Sequence, residues 1–154
     1  MDLELPAVWL PEDYNELMST QEETTATIQR LQSALNAHDI EAFVACFDPD
    51  YKSDQPAHPD RQFTGREQVK KNWSAIFEAM PDLQAEIVNL STDTETAWVE
   101  WRWTATQGDG SPFDWRGVCL FGVKAQGIAW GRLYMEPVEQ GGAGIDATVQ
   151  EMHR

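Results

Sequence analysis

The last third of the chain is a run of apolar-rich segments separated by short polar turns. The segments are Ala97–Thr106, Phe113–Val123 and Ile128–Pro137. Strands joined by turns this short pair antiparallel, because a parallel pair needs a long crossover connection. Five of the seven tryptophans lie in these segments, so the predicted meander buries aromatic surface on at least one of its faces.

The first half of the chain has apolar residues at helical spacing instead. A capping signal at Ser19–Thr20 precedes a first helix that is predicted to end at Asn36–His38. Asp39 can cap a second, shorter helix whose apolar positions end with Phe47. An apolar stripe predicts a third helix over Arg66–Met80, and the proline that follows ends it.

Two shorter strands and a loop complete the predicted elements. The strands are Tyr51–Asp54, after the second helix, and Leu83–Leu90, before the meander. The segment Gln55–Thr64 has turn chemistry throughout and contains two prolines. Exposed loops of about ten residues often edge a site.

Length and composition predict a single domain. A chain of 154 residues with 42% apolar content buries roughly two thirds of its unfolded surface in one core. We expect this domain at 19–138, with an N-terminal extension at 1–18 and a C-terminal tail at 139–154. Within the tail, Ile145–Met152 can form one or two helical turns.

The charge balance argues against two classes of partner. With 26 acidic and 11 basic residues the formal charge is -15, which repels phosphate backbones and anionic lipids. We therefore expect no nucleic-acid partner and no membrane partner. No apolar run approaches the ~20 residues of a membrane span, and the first residues lack the basic region of a secretion signal. A cytoplasmic protein is predicted.

The sequence also lacks the usual signatures of metal and cofactor chemistry. It contains no glycine-rich phosphate loop, no metal-ligand spacing and no nucleophile elbow, so neither a metal nor a cofactor is predicted. The two cysteines, Cys46 and Cys119, lie in apolar surroundings without a shared motif. We expect them to be free thiols that pack in the core.

Four stretches of sequence match motifs of a known family. They are Ala34–Asp39, Phe43–Phe47, Thr64–Val69 and Gly127–Pro137. Over about Ala26–Val138 the chain resembles the nuclear transport factor 2-like superfamily, in particular its SnoaL-like and ketosteroid-isomerase-like proteins. A chain in which helices come first and a strand meander comes last is typical of the α+β class. The resemblance implies a cone-shaped barrel: a strongly curved, mixed but mainly antiparallel sheet with about three N-terminal helices across its concave side.

The catalytic positions of this superfamily are replaced in the chain. By the resemblance, the hydrogen-bonding tyrosine of ketosteroid isomerases aligns with Leu31 and their general-base aspartate with Gln55. Their oxyanion-hole aspartate falls near Val118, and the catalytic aspartate of epoxide hydrolases falls at Leu133. None of these side chains exchanges a proton, so we expect neither apparatus in its unmodified form.

Alternation along the meander leaves two registers open. In the first, a mostly charged set faces inward: Trp98, Glu100, Arg102, Asp114, Arg116 and Val118. In the second, an aromatic set faces inward: Trp101, Trp103, Trp115 and Phe121. Composition favours the second register, since aromatic residues usually face a core. The resemblance to the isomerases favours the first, and the candidate site is assigned on that basis.

The assigned site combines catalytic and substrate-binding residues. Arg102 would polarise a carbonyl, carboxylate or epoxide oxygen, and Glu100 or Asp114 would act as the base. Substrate contacts are expected from eight residues: Asp54, Gln55, His58, Trp73, Trp98, Arg116, Val118 and Leu133. The structural alternative is an ion-pair lattice inside the cone.

Three functional hypotheses follow. The first is a SnoaL-like protein that binds a small hydrophobic organic ligand and acts on it as a cofactor-independent cyclase, isomerase or hydratase by general acid/base catalysis. The second is a non-enzymatic ligand-binding or dimerisation module of the same fold, and the third is an epoxide hydrolase variant. In the first register the outward tryptophans form an apolar patch, which predicts a homodimer through the outer sheet face.

Overall fold

A computed structural model describes residues 14–154 of the chain, with side chains from residue 20 onward. The helices and strands follow in the order α1 (Tyr14–Ala37), α2 (Ile40–Ala45), β1 (Phe47–Asp54), β2 (Phe63–Thr64), α3 (Arg66–Ala79), β3 (Gln84–Asp93), β4 (Thr96–Thr106), β5 (Pro112–Lys124), β6 (Gly127–Pro137) and α4 (Ile145–Met152). A 3₁₀ turn at Pro59–Arg61 precedes β2. None of the helices in this described part is long and apolar enough to cross a membrane.

The six strands form one sheet in the order β2-β1-β6-β5-β4-β3. The strands β3 to β6 form a meander in which all neighbours pair antiparallel, whereas β1 lies parallel to β6. The N-terminal helices cover one face of this sheet, with α1 on β3 and β4 and α3 on β1. The predicted α+β fold, with a mixed and mainly antiparallel sheet, is confirmed.

The core lies between the helices and the concave face of the sheet. The helices contribute buried side chains such as Ile28, Leu35 and Phe43, and the meander contributes Val99 and Trp101. Each fully buried side chain of this size stabilises the fold by about 1.5–3 kcal/mol relative to an exposed one. Burial of these side chains therefore holds the helices against the strands.

The end of α1 is tied to the edge strand β3 through Asn36. Its Oδ1 accepts from the backbone N–H of Ala85 at 2.7 Å, and its Nδ2 donates to the carbonyl of Ala85 at 3.0 Å. His38 then adopts a left-handed conformation with φ 53°, and its ring stacks on Phe77 with centroids 4.5 Å apart. Asp39 caps α2 by accepting from the N–H of Ala42, as the sequence predicts.

Some element boundaries differ from those predicted. α1 begins at Tyr14 rather than at Ser19–Thr20, so it crosses the boundary drawn at residue 18. The second helix ends at Ala45, and Phe47 belongs to β1, where it lies opposite Ile128 of β6. A local apolar pattern carries no information about pairing with a strand that comes much later in the chain. The strand predicted at Tyr51–Asp54 was therefore too short at its N-terminal end.

The inward and outward faces of the meander are the reverse of those assigned from the resemblance. On β4, Trp101 is 2% exposed and packs in the core, whereas Trp98 is 51% exposed on the opposite face. Trp103 lies opposite Trp115, which also packs against the core. The helices present apolar side chains to the sheet, so the more apolar face of the sheet packs against them while charged side chains keep their water.

Candidate ligand-binding cavity

A cavity of about 240 Å³ lies between the concave face of the sheet and helices α1, α2 and α3. Its wall is mostly apolar, and aromatic rings from five elements dominate it: Phe43, Phe47, Trp73, Trp101, Trp103 and Trp115. Apolar cavities of about 150 Å³ take up benzene in other proteins. A cavity of this size therefore suits a molecule of one or two rings.

Three tryptophans form the centre of the wall. Trp73 of α3 meets Trp103 of β4 edge to face, with ring centroids 5.6 Å apart, and Trp101 lies 6.4 Å from Trp103. Phe43 of α2 contacts Trp73 with centroids 4.7 Å apart. Ring contacts of this kind stabilise a fixed arrangement of the side chains. A guest molecule therefore meets aromatic surfaces that are already in place.

Five polar side chains complete the wall: Tyr51, Ser53, Gln55, Arg61 and Asn72. Burial raises the pKa of the Tyr51 phenol well above its usual value, against the smaller opposing effect of a hydrogen bond with Ser53. In the loop after β1, Nη1 of Arg61 donates to Oε1 of Gln55 at 3.4 Å. Asn72 Oδ1 accepts from Nε2 of Gln68 at 2.7 Å, one turn earlier on α3.

A glycine on β6 makes room for Tyr51. A Cβ atom at Gly131 would collide with the Tyr51 hydroxyl and would lie 3.2 Å from the ring of Phe121. Both of those side chains belong to the cavity wall. The missing side chain at Gly131 therefore allows the phenol to approach the backbone of β6.

The cavity wall is poor in groups that exchange protons near neutral pH. Among the described residues that line it, none is a carboxylate or a histidine, and Arg61 is the charged one. Burial raises the pKa of the Cys119 thiol, which keeps this group protonated. Within residues 14–154 no cluster of His, Cys, Asp and Glu is arranged to hold a metal ion. The wall offers apolar surface and hydrogen-bond donors rather than a base.

Two indole N–H groups in this wall have no hydrogen-bond acceptor. Nε1 of Trp101 and Nε1 of Trp103 are both buried, and no acceptor in the described part of the chain lies within bonding distance. Buried donors are nearly always paired, because an unsatisfied one costs about 1–3 kcal/mol. Both N–H groups are therefore unsatisfied donors inside the packed core, out of reach of a water molecule in the cavity.

Three of the predicted contact residues lie in the cavity wall, namely Gln55, Trp73 and Leu133. Gln55 follows the last residue of β1, Trp73 lies on the inner side of α3, and Leu133 lies on the inner side of β6. The sequence places each of them on an element that borders the cavity. Their contact with a ligand stays a prediction.

The predicted catalytic residues lie on the convex face of the sheet, outside the cavity. Asp114 Oδ2 is 3.7 Å from Nη2 of Arg102, and Asp114 Oδ1 is 3.4 Å from Nε of Arg116. Glu100 Oε1 is 3.5 Å from Nδ2 of Asn89 on the same face. The prediction that these side chains line the cavity is wrong, because the aromatic set of β4 and β5 takes the place against the helices.

The remaining predicted contact residues also lie outside the cavity wall. Trp98 and Val118 share the convex face with the arginines. Oδ2 of Asp54 is 3.9 Å from Nε of Arg132, and both side chains are about half exposed. His58 lies in the exposed loop, where its Nε2 is 2.6 Å from Oε1 of Glu136. None of these residues lines the cavity.

Most wall residues were missing from the assigned site, among them Tyr51, Arg61, Asn72, Trp101 and Trp103. A signal existed for most of them. The two tryptophans belong to the inward set of the register that composition favours. Arg61 belongs to the loop that was expected to edge a site, and Asn72 shares a helix face with Val69 and Ile76. Which of these residues line the cavity depends on the face of the sheet that the helices cover, and the sequence signals do not report that face.

Comparison with known proteins agrees with this architecture. A family model described as the SnoaL-like domain matches residues 28–130, which run from α1 into β6 and include most of the cavity wall. The chain belongs to the SnoaL-like family. The family is part of the nuclear transport factor 2-like superfamily, so the recognition made from motifs is confirmed. No curated protein sequence matches this SnoaL-like chain significantly.

Solved structures of SnoaL-like and related proteins share the fold. A candidate SnoaL-like polyketide cyclase from Jannaschia sp. CCS1 gives a TM-score of 0.66 at 20% identity, covering 76% of this chain and 88% of that one. A candidate ketosteroid isomerase from Kribbella flavida DSM 17836 gives 0.66 at 22% identity, with 84% and 90% covered. IdmH, a candidate polyketide cyclase from Streptomyces antibioticus, gives 0.65 at 18% identity, with 74% and 92% covered. At these identities the likeness concerns the fold alone.

Proposed function

We propose that this SnoaL-like protein binds a compact, largely apolar organic molecule in the cavity between its sheet and its helices. The main support is the cavity of about 240 Å³ with a wall of aromatic rings. Ligand sites in proteins are typically concave and apolar, with a few polar groups that orient the guest. Here Tyr51, Gln55, Arg61 and Asn72 are the polar groups.

Binding without turnover has more support than catalysis. General acid/base chemistry needs a group at the ligand that takes up a proton near neutral pH. Glu100 and Asp114 lie on the convex face, and the pKa values of Tyr51 and Cys119 are raised by burial. A cofactor-independent isomerase, cyclase or hydratase therefore lacks a base among the described wall residues, and the epoxide hydrolase variant lacks its carboxylates there.

The wall favours a flat, aromatic or polyketide-like guest. Several solved structures with this fold are candidate polyketide cyclases. Compounds of that kind combine fused rings with ketone and phenol oxygens. The fused rings can pack on the rings of Trp73 and Trp103, and the oxygens can bond to the polar groups of the wall. The volume limits the bound part to about two rings, judged against the cavity size that holds benzene.

The proposal is tested by blocking the cavity with a large side chain. Leu133→Trp adds an indole on the inner side of β6, whereas Tyr134→Trp makes a similar change on the outer face, where Tyr134 is 42% exposed. The bicyclic hydrocarbon indane serves as the probe in calorimetric titrations. We expect wild type and Tyr134→Trp to bind indane. Leu133→Trp should lose at least about tenfold in affinity, because the close-packed wall cannot shift to restore the volume that the indole fills.

Two results would contradict this function. Absence of indane binding to the wild type, or equal binding to Leu133→Trp, would show that the cavity takes no apolar guest. Turnover is tested separately by mass spectrometry of polyketide-like aryl ketones incubated with the protein. Conversion of such a ketone would support the enzymatic alternative over binding alone.

We also propose that a second copy of the chain docks on the convex face. Trp98 and Tyr134 are 51% and 42% exposed there, and Val118 and Leu120 lie between them in the register. The same face carries both signs of charge, so a two-fold arrangement can place an arginine of one copy against a carboxylate of the other. The apolar patch is smaller than predicted, because Trp101, Trp103 and Trp115 lie inside.

Analytical ultracentrifugation of single-charge variants tests this docking. Trp98→Glu introduces a charge into the patch, and Ile145→Glu introduces the same charge on α4, where Ile145 is 75% exposed. We expect wild type and Ile145→Glu to sediment as dimers and Trp98→Glu to dissociate at least about tenfold more readily, since a buried unpaired charge is costly. A monomeric wild type, or a dimer indifferent to Trp98→Glu, would contradict the docking proposal.

A further inference from the structure

A positive charge lies at the mouth of the cavity, on the side chain of Arg61. This residue belongs to the cavity wall and is exposed to solvent, whereas wall residues such as Leu35 and Trp101 are buried. The guanidinium group therefore lies where the apolar cavity meets water. A guest whose apolar body fills the cavity would hold its polar end beside this group.

The guanidinium group of Arg61 pairs with no carboxylate in the described part of the chain. Its hydrogen bond goes to an amide instead, with Nη1 donating to Oε1 of Gln55 at 3.4 Å. Arg116 and Arg132, by contrast, lie 3.4 and 3.9 Å from a carboxylate oxygen. With 26 acidic and 11 basic residues the chain is rich in carboxylates. A guanidinium group has five N–H donors in a planar fork, so Arg61 retains donors for a guest.

Backbone hydrogen bonds hold the loop that carries Arg61. The N–H of His58 donates to the carbonyl of Gln55 at 2.8 Å, and the N–H of Arg61 donates to the carbonyl of His58 at 3.0 Å. Nε2 of His58 is in turn 2.6 Å from Oε1 of Glu136 on β6. Two successive turns and this contact fix the loop against the sheet. The loop therefore needs little further ordering when a guest binds.

The charge of Arg61 restricts the chemistry of the polar end of the guest. A carboxylate matches the planar fork of a guanidinium group and accepts two hydrogen bonds from it, whereas an ammonium group is repelled. Deep in the apolar cavity a carboxylate would lose its water at a high cost, but at the mouth it keeps part of its hydration. A single negative charge also suits a protein of formal charge -15 better than a doubly charged phosphate does.

We infer that Arg61 is an anion-binding residue of the cavity, and that the guest is an organic anion with an apolar body and one carboxylate. This inference rests on the proposed function, that the cavity binds an apolar organic molecule. The aromatic wall holds the apolar body, and Arg61 holds the carboxylate at the mouth. The negative charge then distinguishes the selected guest from other molecules of the same shape.

Four probes with the same bicyclic body test this inference by titration calorimetry. They are indane, indane-2-carboxylate, indane-2-carboxamide and 2-aminoindane, which is an ammonium ion at neutral pH. The carboxamide has nearly the shape of the carboxylate and keeps its carbonyl group without the charge. At neutral pH and physiological salt we expect wild type to bind the carboxylate at least about fivefold more tightly than the carboxamide or the ammonium ion.

The variant Arg61→Gln removes the charge from the mouth. We expect it to bind indane within about twofold of wild type, because the hydrocarbon contacts the aromatic wall, and to lose the preference for the carboxylate. Lys71→Gln is the matched control. It removes the same charge from an exposed side chain of α3 that lies next to the wall residue Asn72 in the chain but does not line the cavity. It should keep the wild-type preference, since water and salt screen a charge that does not touch the guest.

The outcomes separate this inference from the proposed function. Absence of indane binding to the wild type contradicts the proposed function, and the role of Arg61 falls with it. If indane binds but the carboxylate binds no more tightly than the carboxamide, the inference is wrong and the cavity function stands. A preference for the carboxylate that survives in Arg61→Gln, or that Lys71→Gln loses to the same extent, would also overturn the role of Arg61.

Discussion

The two faces of the sheet are built from alternate residues of the same strands, yet they differ in burial and in the chemistry of their side chains. Trp98 and Trp101 are three positions apart on β4, and their exposed fractions are 51% and 2%. The concave face carries the aromatic cavity. The convex face carries the cluster of Arg102, Asp114 and Arg116 with contacts of 3.4 to 3.7 Å.

This difference shows that a cluster of charged residues does not locate a site unless it is known which face of the sheet the cluster occupies. Arg102 and Asp114 have the residue types of an acid/base centre, but their side chains, 42% and 19% exposed, lie on the face of the sheet away from the cavity. The apolar residues opposite them, among them Trp101 and Trp103, enclose a space in which a guest leaves water. Enclosure rather than charge distinguishes the candidate site.

The largest expected effect contrasts the two tryptophans of β4. Trp101→Ala should lower the free energy of unfolding by about 3–5 kcal/mol, because it leaves a large hole in the core. Trp98→Ala should change it by no more than about 0.5 kcal/mol in the monomer. Urea denaturation followed by circular dichroism measures both. Equal losses would mean that the two faces are packed alike.

A pH effect tests the concave face through Cys119. Burial raises the pKa of its thiol above the value of about 8.5 for an unfolded chain. Above that pH the unfolded chain loses this proton while the folded chain keeps it, so stability falls as pH rises, by up to about 1.4 kcal/mol per pH unit. Below about pH 8 the group contributes no slope, because both states are protonated.

The matched variant for this test is Cys119→Ala. Tyr51 and Cys46 also have raised pKa values and contribute slopes of the same sign in both proteins. The free energy of unfolding, measured by urea titration from neutral to alkaline pH, should therefore decline more gently in Cys119→Ala than in wild type. Parallel declines would show that this thiol is not shielded in the folded protein.

The smallest expected effect belongs to the convex face. Asp114→Asn removes the carboxylate between Arg102 and Arg116 and should cost about 0–1 kcal/mol of stability, less at high salt. Affinity for indane should stay within about twofold, because the cavity lies on the other face. Scanning calorimetry measures the stability and titration calorimetry measures the affinity, each at two salt concentrations. A large loss of ligand binding would restore Asp114 to the candidate site.

Local patterns predicted most elements close to their observed bounds. The meander segment Ala97–Thr106 became β4 at Thr96–Thr106, and Ile145–Met152 forms the last helix. Alternation and turn residues are properties of neighbouring positions, so the sequence reports them directly. The extension of β1 back to Phe47 depends on its pairing with β6, which no local pattern reports.

The candidate site was predicted less completely than the fold. Gln55, Trp73 and Leu133 were expected at the cavity and line it: the family resemblance indicated Gln55 and Leu133, and the apolar stripe of the third helix indicated Trp73. Trp101 and Trp103 belonged to the register that was set aside. The choice between registers was made from a family resemblance, and that guide carries no information about which side chains the helices of this chain cover.

By itself the amino-acid order settled which segments are helices and strands, that they form one α+β unit, and which side chains on each strand share a side. It left the choice of side open, because alternation is symmetric: either set of residues can point inward. Only packing broke that symmetry. The apolar surface of three helices had to be covered, and burying aromatic rings costs less than dehydrating arginines and carboxylates. Trp101, Trp103 and Trp115 therefore enclose the cavity, and the charged side chains lie on the other face.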